Sequence, residues 1–275
     1  MTRSEDQELL APMAAAAHEV GELLLATPRP AAATSLARLA EVYDGLEAPA
    51  VALMRRHLDG LRPGVDWAPE LDGLAVLPAH GEVWVVDVID GAVQFLQDLP
   101  HFCVSLALVR DGEPVAAGLH APLLGETYLA SRGGGATRDG RPIAPSAKTD
   151  PAAALVATSQ PPFIGRHPGA AEEAGRSLAA VLPRVGAVRN LGPTGWQIAD
   201  TAAGRLDAFW QFGRDHANLL PGALIAREAG AVVTDTAGRP WTSGSDSFLV
   251  AAPALHDRLL RALSDRADDA RDARA

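Results

Sequence analysis

Trp84-Val85-Val86-Asp87-Val88-Ile89-Asp90-Gly91-Ala92-Val93-Gln94-Phe95 places two carboxylates at the end of an apolar, strand-like run and directly before a glycine. Valine and isoleucine fit a pleated, half-buried strand, and glycine permits the tight turn that follows. A strand ending in Asp-x-x-Asp-Gly can bring Asp87 and Asp90 to one point, with backbone N–H groups beyond Gly91 offered to an anion. Hard cations take oxygen ligands, so the pattern points to a metal ion beside a phosphate. Asp-Gly after a strand is also an ordinary turn signal, and the surrounding sequence must decide between the two.

Outward from this segment the texture differs on the two sides. Residues 5–27 and 36–61 carry apolar positions at helical spacing and end at Pro-containing breaks, which predicts two helices before the sheet. From 83 onward short apolar runs follow at 83–89, 102–110, 114–120 and 127–131, with Asp111-Gly112 as a hairpin signal. These predict an antiparallel sheet. Beyond Ile143 strands and helices alternate: strands at 154–158, 186–188, 207–212, 231–234 and 247–251, helices near 168–181, 194–203, 219–229 and 253–263. The expected division is an N-terminal α+β half over 1–145 and a C-terminal α/β half over 146–275, joined through the polar stretch 139–152. The tail 264–275 is charged and alanine-rich and is assigned no function.

Composition narrows the function classes. The chain has 275 residues, 48% hydrophobic and 21% charged, enough for a large core. Its net charge of −10 argues against a general nucleic-acid or anionic-membrane binder, although metal ions can create a local anion site. The single cysteine, Cys103, lies in an apolar run and reads as core filler in a reducing compartment. No run of about 18 uncharged apolar residues is present, so no membrane span is expected. The acidic start does not look like a secretory signal, and a cytoplasmic protein is expected.

Glu70, in a loop before the strand, is a third carboxylate able to fold back onto the strand end. Glu70, Asp87 and Asp90, with the Ile89 carbonyl, would meet much of what two-metal phosphoryl transfer requires. Further motifs lie in order along the chain. Residues 87–95 match Asp-Pro-Ile/Leu-Asp-Gly-Thr-x-Asn-Phe, followed by Leu99-Pro100-His101-Phe102-Cys103-Val104-Ser105. Gly204-Arg205-Leu206-Asp207-Ala208-Phe209-Trp210 precedes a segment, 217–231, that matches Trp-Asp-x-Ala-x-Gly-(x)5-Glu-Ala-Gly-Gly through Gly222, Glu228, Ala229 and Gly230. On these residues nearly the whole chain resembles the inositol monophosphatase superfamily.

That resemblance implies an αβαβα layered sandwich, usually a homodimer, acting on a small phosphorylated metabolite with Mg2+ or Mn2+. It implies Glu70, Asp87, Asp90, the Ile89 carbonyl and position 218 as metal ligands. Gly91 and Ala92 N–H groups would hold phosphate, and Glu70, Asp87 and Asp90 would be catalytic through the ions.

Three positions depart from the family pattern. Ala92 replaces the threonine whose hydroxyl helps deprotonate the attacking water, and Glu47, on the second helix, is the candidate to act instead. Asn218 replaces an aspartate ligand; an amide oxygen can coordinate but carries no charge, and Asp215 or His216 could compensate. Gln211 stands where many relatives place a substrate-binding glutamate. The expected activity is therefore hydrolysis of a cyclitol, sugar or nucleotide phosphate. The alternative is a divergent site that binds such a ligand with little hydrolysis or with another reaction.

Overall fold

The computed structural model describes residues 4–28, 35–68 and 77–264. The first predicted helix is two pieces, α1 (Glu5–Glu8) and α2 (Leu10–Ala26), and the second is α3 (Leu36–Leu61). Next come β1 (Asp66–Trp67), β2 (Glu82–Asp90), α4 (Ala92–Leu96), β3 (Cys103–Arg110), β4 (Glu113–Ala121), β5 (Glu126–Ser131), β6 (Gly135–Arg138) and β7 (Arg141–Pro142). The remainder is β8 (Leu155–Ser159), α5 (Ala170–Val181), β9 (Ala187–Arg189), α6 (Thr194–Ala202), β10 (Ala208–Phe212), α7 (His216–Ala229), β11 (Val232–Thr234), β12 (Ser247–Ala251) and α8 (Pro253–Ser264).

A seven-stranded sheet follows chain order, β1 to β7, antiparallel except that β1 joins β2 in parallel. The hairpin expected at Asp111-Gly112 is present, with both residues at positive φ, 53° and 79°. The second, five-stranded sheet has the order β11-β12-β10-β8-β9. Elements missed from sequence are short: β1, α4, β6 and β7, the last inside the stretch expected to be a linker. Two to five residues carry too little periodicity to read.

Alternation along the strands sorts side chains into layers. On one face of the first sheet, Trp84, Val104, Leu106 and Leu108 pack with Met13, Val20, Met54 and Leu58 of α2 and α3. On its other face, Val85, Cys103, Ala107 and Val109 meet Trp196 and Ile198 of α6, Leu220 and Ile225 of α7, and Phe209, Phe248 and Val250 of the second sheet. Trp210, Leu249 and Val156 turn outward onto α5 and α8. The result is the αβαβα sandwich, with α6 and α7 buried between the sheets.

Packing decides the helices. Pro49 sits inside α3, where an interior proline costs about 3 kcal/mol. Met54 and Leu58 on the same helix are fully buried, each contributing about 1.5–3 kcal/mol, which offsets the break. By length and composition alone Glu5–Ala26 could cross a bilayer, its most apolar 18 residues having a mean hydropathy of 1.3, although Glu19 and Glu22 interrupt the apolar run. Its Met13, Ala16, Ala17, Val20 and Leu24 are instead buried against the first sheet and α3.

Candidate functional site

Asp87 and Asp90 meet because β2 is bulged between them. Asp87 pairs with Ser105 and Asp90 with Cys103, so three steps on β2 (87 to 90) match two on β3 (105 to 103). In a regular strand an odd separation would put the two acids on opposite faces. Here Val88 and Ile89 both pack into the helix-side core, and the extra residue returns Asp90 to the face of Asp87. That face looks toward α6 and α7.

Each acid is then held by backbone. Ile89 N–H donates to Asp87 Oδ1 at 2.9 Å. Gly195 N–H, in the first turn of α6, donates to the Asp90 carboxylate. A Cβ at Gly195 would stand 3.2 Å from Asp90 Oδ2 and 3.3 Å from the Asn218 carbonyl, so glycine lets the helix end approach. Cys103 Sγ lies 3.8 Å from Asp90 Oδ2. Burial first, then the Asp90 charge, raises the Cys103 thiol pKa well above its usual value, which suits the expected core filler rather than a nucleophile.

Two further elements bring charge to the same place. From α3, Tyr43 Oη donates to Glu47 Oε1 at 2.9 Å, and Glu47 acts electrostatically on Asp87. Burial, then the charges of Asp87 and Glu47, keep the Tyr43 hydroxyl protonated far above its ordinary range. At the start of α7, Asp215 accepts from Gln211 Nε2 on Oδ2 and from Asn218 Nδ2 on Oδ1, both at 2.7 Å. Asp215 is 2% exposed and Asn218 7%, and Asn218 Oδ1 has no hydrogen-bond partner. Ser105 Oγ, opposite Asp87, is likewise buried without a partner.

Crowding of acids sets their protonation. Burial, working against the Ile89 hydrogen bond and reinforced by Glu47, pushes Asp87 up to about 7. Burial also pushes Asp215 up to about 7, against its two amide donors and with Asp87 adding to the rise. Asp90 is raised well above the carboxylate range by burial, then by Asp87 and Asp215. A carboxyl whose pKa is raised on folding favours the folded state below its unfolded pKa, and that contribution disappears as pH climbs through the folded value. The metal-free protein should therefore melt at a lower temperature at about pH 8 than at about pH 5.5. A flat or rising melting temperature across that window, measured in chelator, would contradict the crowding of these acids.

Of the residues singled out in the sequence, Asp87, Asp90, Ile89 and Gly91 lie on the bulge and the turn after it, and Ala92 is the first residue of α4. Glu47 faces the acids from α3. Asn218 lies in the first turn of α7, which begins at His216, earlier than predicted. Gln211 is fully buried and its amide is engaged by Asp215 and, at 3.4 Å, by Thr194 Oγ1. Glu70 lies outside the described residues. Among the described residues no group of three or more His, Cys, Asp or Glu side chains is arranged to hold a metal ion. Sequence reasoning missed Tyr43 and Gly195; the Gly-Pro-Thr-Gly run at 192–195 is the signal that a helix start comes close to something.

Residues 66–267 match the model of the inositol monophosphatase family. The chain belongs to this family. It is 36% identical over 252 residues to inositol-1-monophosphatase ImpA of Mycolicibacterium smegmatis, covering 82% of this chain and 90% of that one. Among solved structures it is similar to Mycobacterium tuberculosis SuhB, at 28% identity and TM-score 0.75, over 96% of this chain and 99% of that one. An inositol monophosphatase from Anabaena shares the fold at TM-score 0.81 and 23% identity, over 95% and 97% of the two chains. Family and fold expected from the sequence are thus borne out.

Proposed function

We propose that the protein is a metal-dependent phosphatase that hydrolyses a small phosphate monoester of a cyclitol, sugar or nucleotide. The observation carrying this is the bulge that turns Asp87 and Asp90 to one face, beside Gly91 and the start of α6. The donors fit a hard divalent cation: they are oxygens, negatively charged, crowded enough to be partly protonated without one, and flanked by the orphaned Asn218 Oδ1. Asp87, Asp90 and the Ile89 carbonyl, together with Glu70, would hold Mg2+ or Mn2+. When bound, such ions supply Lewis acidity and positive charge to phosphoryl transfer.

The chain's own groups do the rest. As the first residues at α4, Gly91 and Ala92 present N–H groups with no carbonyl of their own helix to receive them, and these orient phosphate oxygens. Glu47, one oxygen fixed by Tyr43, takes the proton of the attacking water in place of the hydroxyl absent at Ala92.

Phosphate release from a panel of cyclitol, sugar and nucleotide monophosphates, with Mg2+ or Mn2+, tests the proposal. Glu47→Gln should lower kcat about 100-fold and leave KM nearly unchanged. No release from any ester by the wild-type chain would overturn it.

A further inference from the structure

Two departures from the family pattern, Gln211 and Asn218, converge on a third residue that the pattern does not contain. Asp215 receives one amide N–H on each carboxylate oxygen, both at 2.7 Å, and these come from Gln211 and Asn218. Were positions 211 and 218 acidic, as in the pattern, both contacts would set carboxylate against carboxylate in a buried place. An acid at 215 therefore requires amides at 211 and 218.

Building on the metal-dependent reading above, we propose that Asp215 supplies the carboxylate missing at position 218, with Gln211 and Asn218 as positioning residues that aim it. Asp215 occupies the N-cap of α7 yet makes no side-chain capping bond, so its carboxylate is not engaged in closing the helix. It lies instead close enough to Asp87 and Asp90 to interact electrostatically with both. Asn218 gives its N–H to Asp215, which leaves Oδ1 of the same amide buried, more than nine-tenths shielded and without a partner. A buried amide oxygen is rarely left so, and a cation beside Asp215 would satisfy it. Moving the acid three residues earlier, from 218 to 215, restores the charge that Asn218 removes and adds a neutral oxygen ligand.

Mn2+ titration read by electron paramagnetic resonance of the free ion gives site number and affinity without reference to turnover. Asp215→Asn, nearly isosteric, should weaken the weaker Mn2+ site at least about tenfold while circular dichroism stays unchanged. Asp215→Asn combined with Asn218→Asp should recover it, because the charge returns at the family's position. Wild-type stoichiometry and affinity in Asp215→Asn would overturn the proposal, as would failure of the folded double variant to recover binding. Asp87→Asn separates the two levels. If it loses Mn2+ while Asp215→Asn does not, only the role of Asp215 fails; if the wild-type chain binds no Mn2+, the metal-dependent reading fails with it.

Discussion

Asp90→Asn should abolish phosphate release, by at least about 1,000-fold, and at the same time make the metal-free protein more stable. The two effects have one cause. Asp90 is only 5% exposed, and burial, Asp87 and Asp215 all oppose its negative charge. Asparagine has the same shape and keeps an oxygen to accept the Gly195 N–H, but it carries no charge to be repelled. Folding without metal is relieved of that repulsion, and a gain of about 0.5–2 kcal/mol is expected at neutral pH and above. Catalysis loses a carboxylate on which cation binding is proposed to depend. Thermal melting in chelator and phosphate release in excess Mg2+ measure the two arms separately. A variant that is inactive and also less stable would assign Asp90 to holding the fold, and would contradict its place in a cation site.

Much of this site was open to sequence reading because its chemistry is concentrated in one strand. Asp87, Asp90 and Gly91 follow each other within five residues, 87 to 91, and a strand end is a rigid place to mount them. β2, β3 and β4 were legible for a related reason: strands covered on both faces read as short continuous apolar runs bounded by turn residues. What could not be read was the bulge. Asp-x-x-Asp on a regular strand would divide the acids between two faces, and only the pairing of β2 with β3 shows the extra residue. Tyr43 was hidden for a different reason. It lies 44 positions before Asp87 (87 − 43), and nothing local to α3 marks the turn of helix that faces the sheet end. Gln211 and Asn218 were noticed as exceptions and Asp215 as a residue able to compensate; that the one carboxylate binds both amides emerges only once β10 and the start of α7 are brought together.

Gly91→Ala should be the most damaging single change to the fold near the site, although it adds only a methyl group. Gly91 sits at φ 94°, in left-handed space that L-residues enter at a cost of about 1–2 kcal/mol. Space is also lacking. A Cβ there would lie 2.9 Å from the carbonyl oxygen of His101 and 3.1 Å from Cα of Phe102, both backbone atoms that cannot rotate aside. Overpacking of this kind adds about 1–3 kcal/mol, so a total loss of about 2–5 kcal/mol is expected. Relief can come only by moving the turn between β2 and α4 or the segment entering β3. Either movement carries Asp90, which pairs with Cys103, and displaces the Gly91 and Ala92 amides from the place where phosphate is proposed to bind. Activity should therefore fall further than instability alone explains: at a temperature where the variant is fully folded by circular dichroism, kcat/KM should still be down about 100-fold. Leu96→Ala, at the other end of α4, supplies the comparison, since it removes packing without touching the turn. If Gly91→Ala and Leu96→Ala lost activity only in proportion to their unfolding, the left-handed turn would be a requirement of the fold and not of the phosphate site.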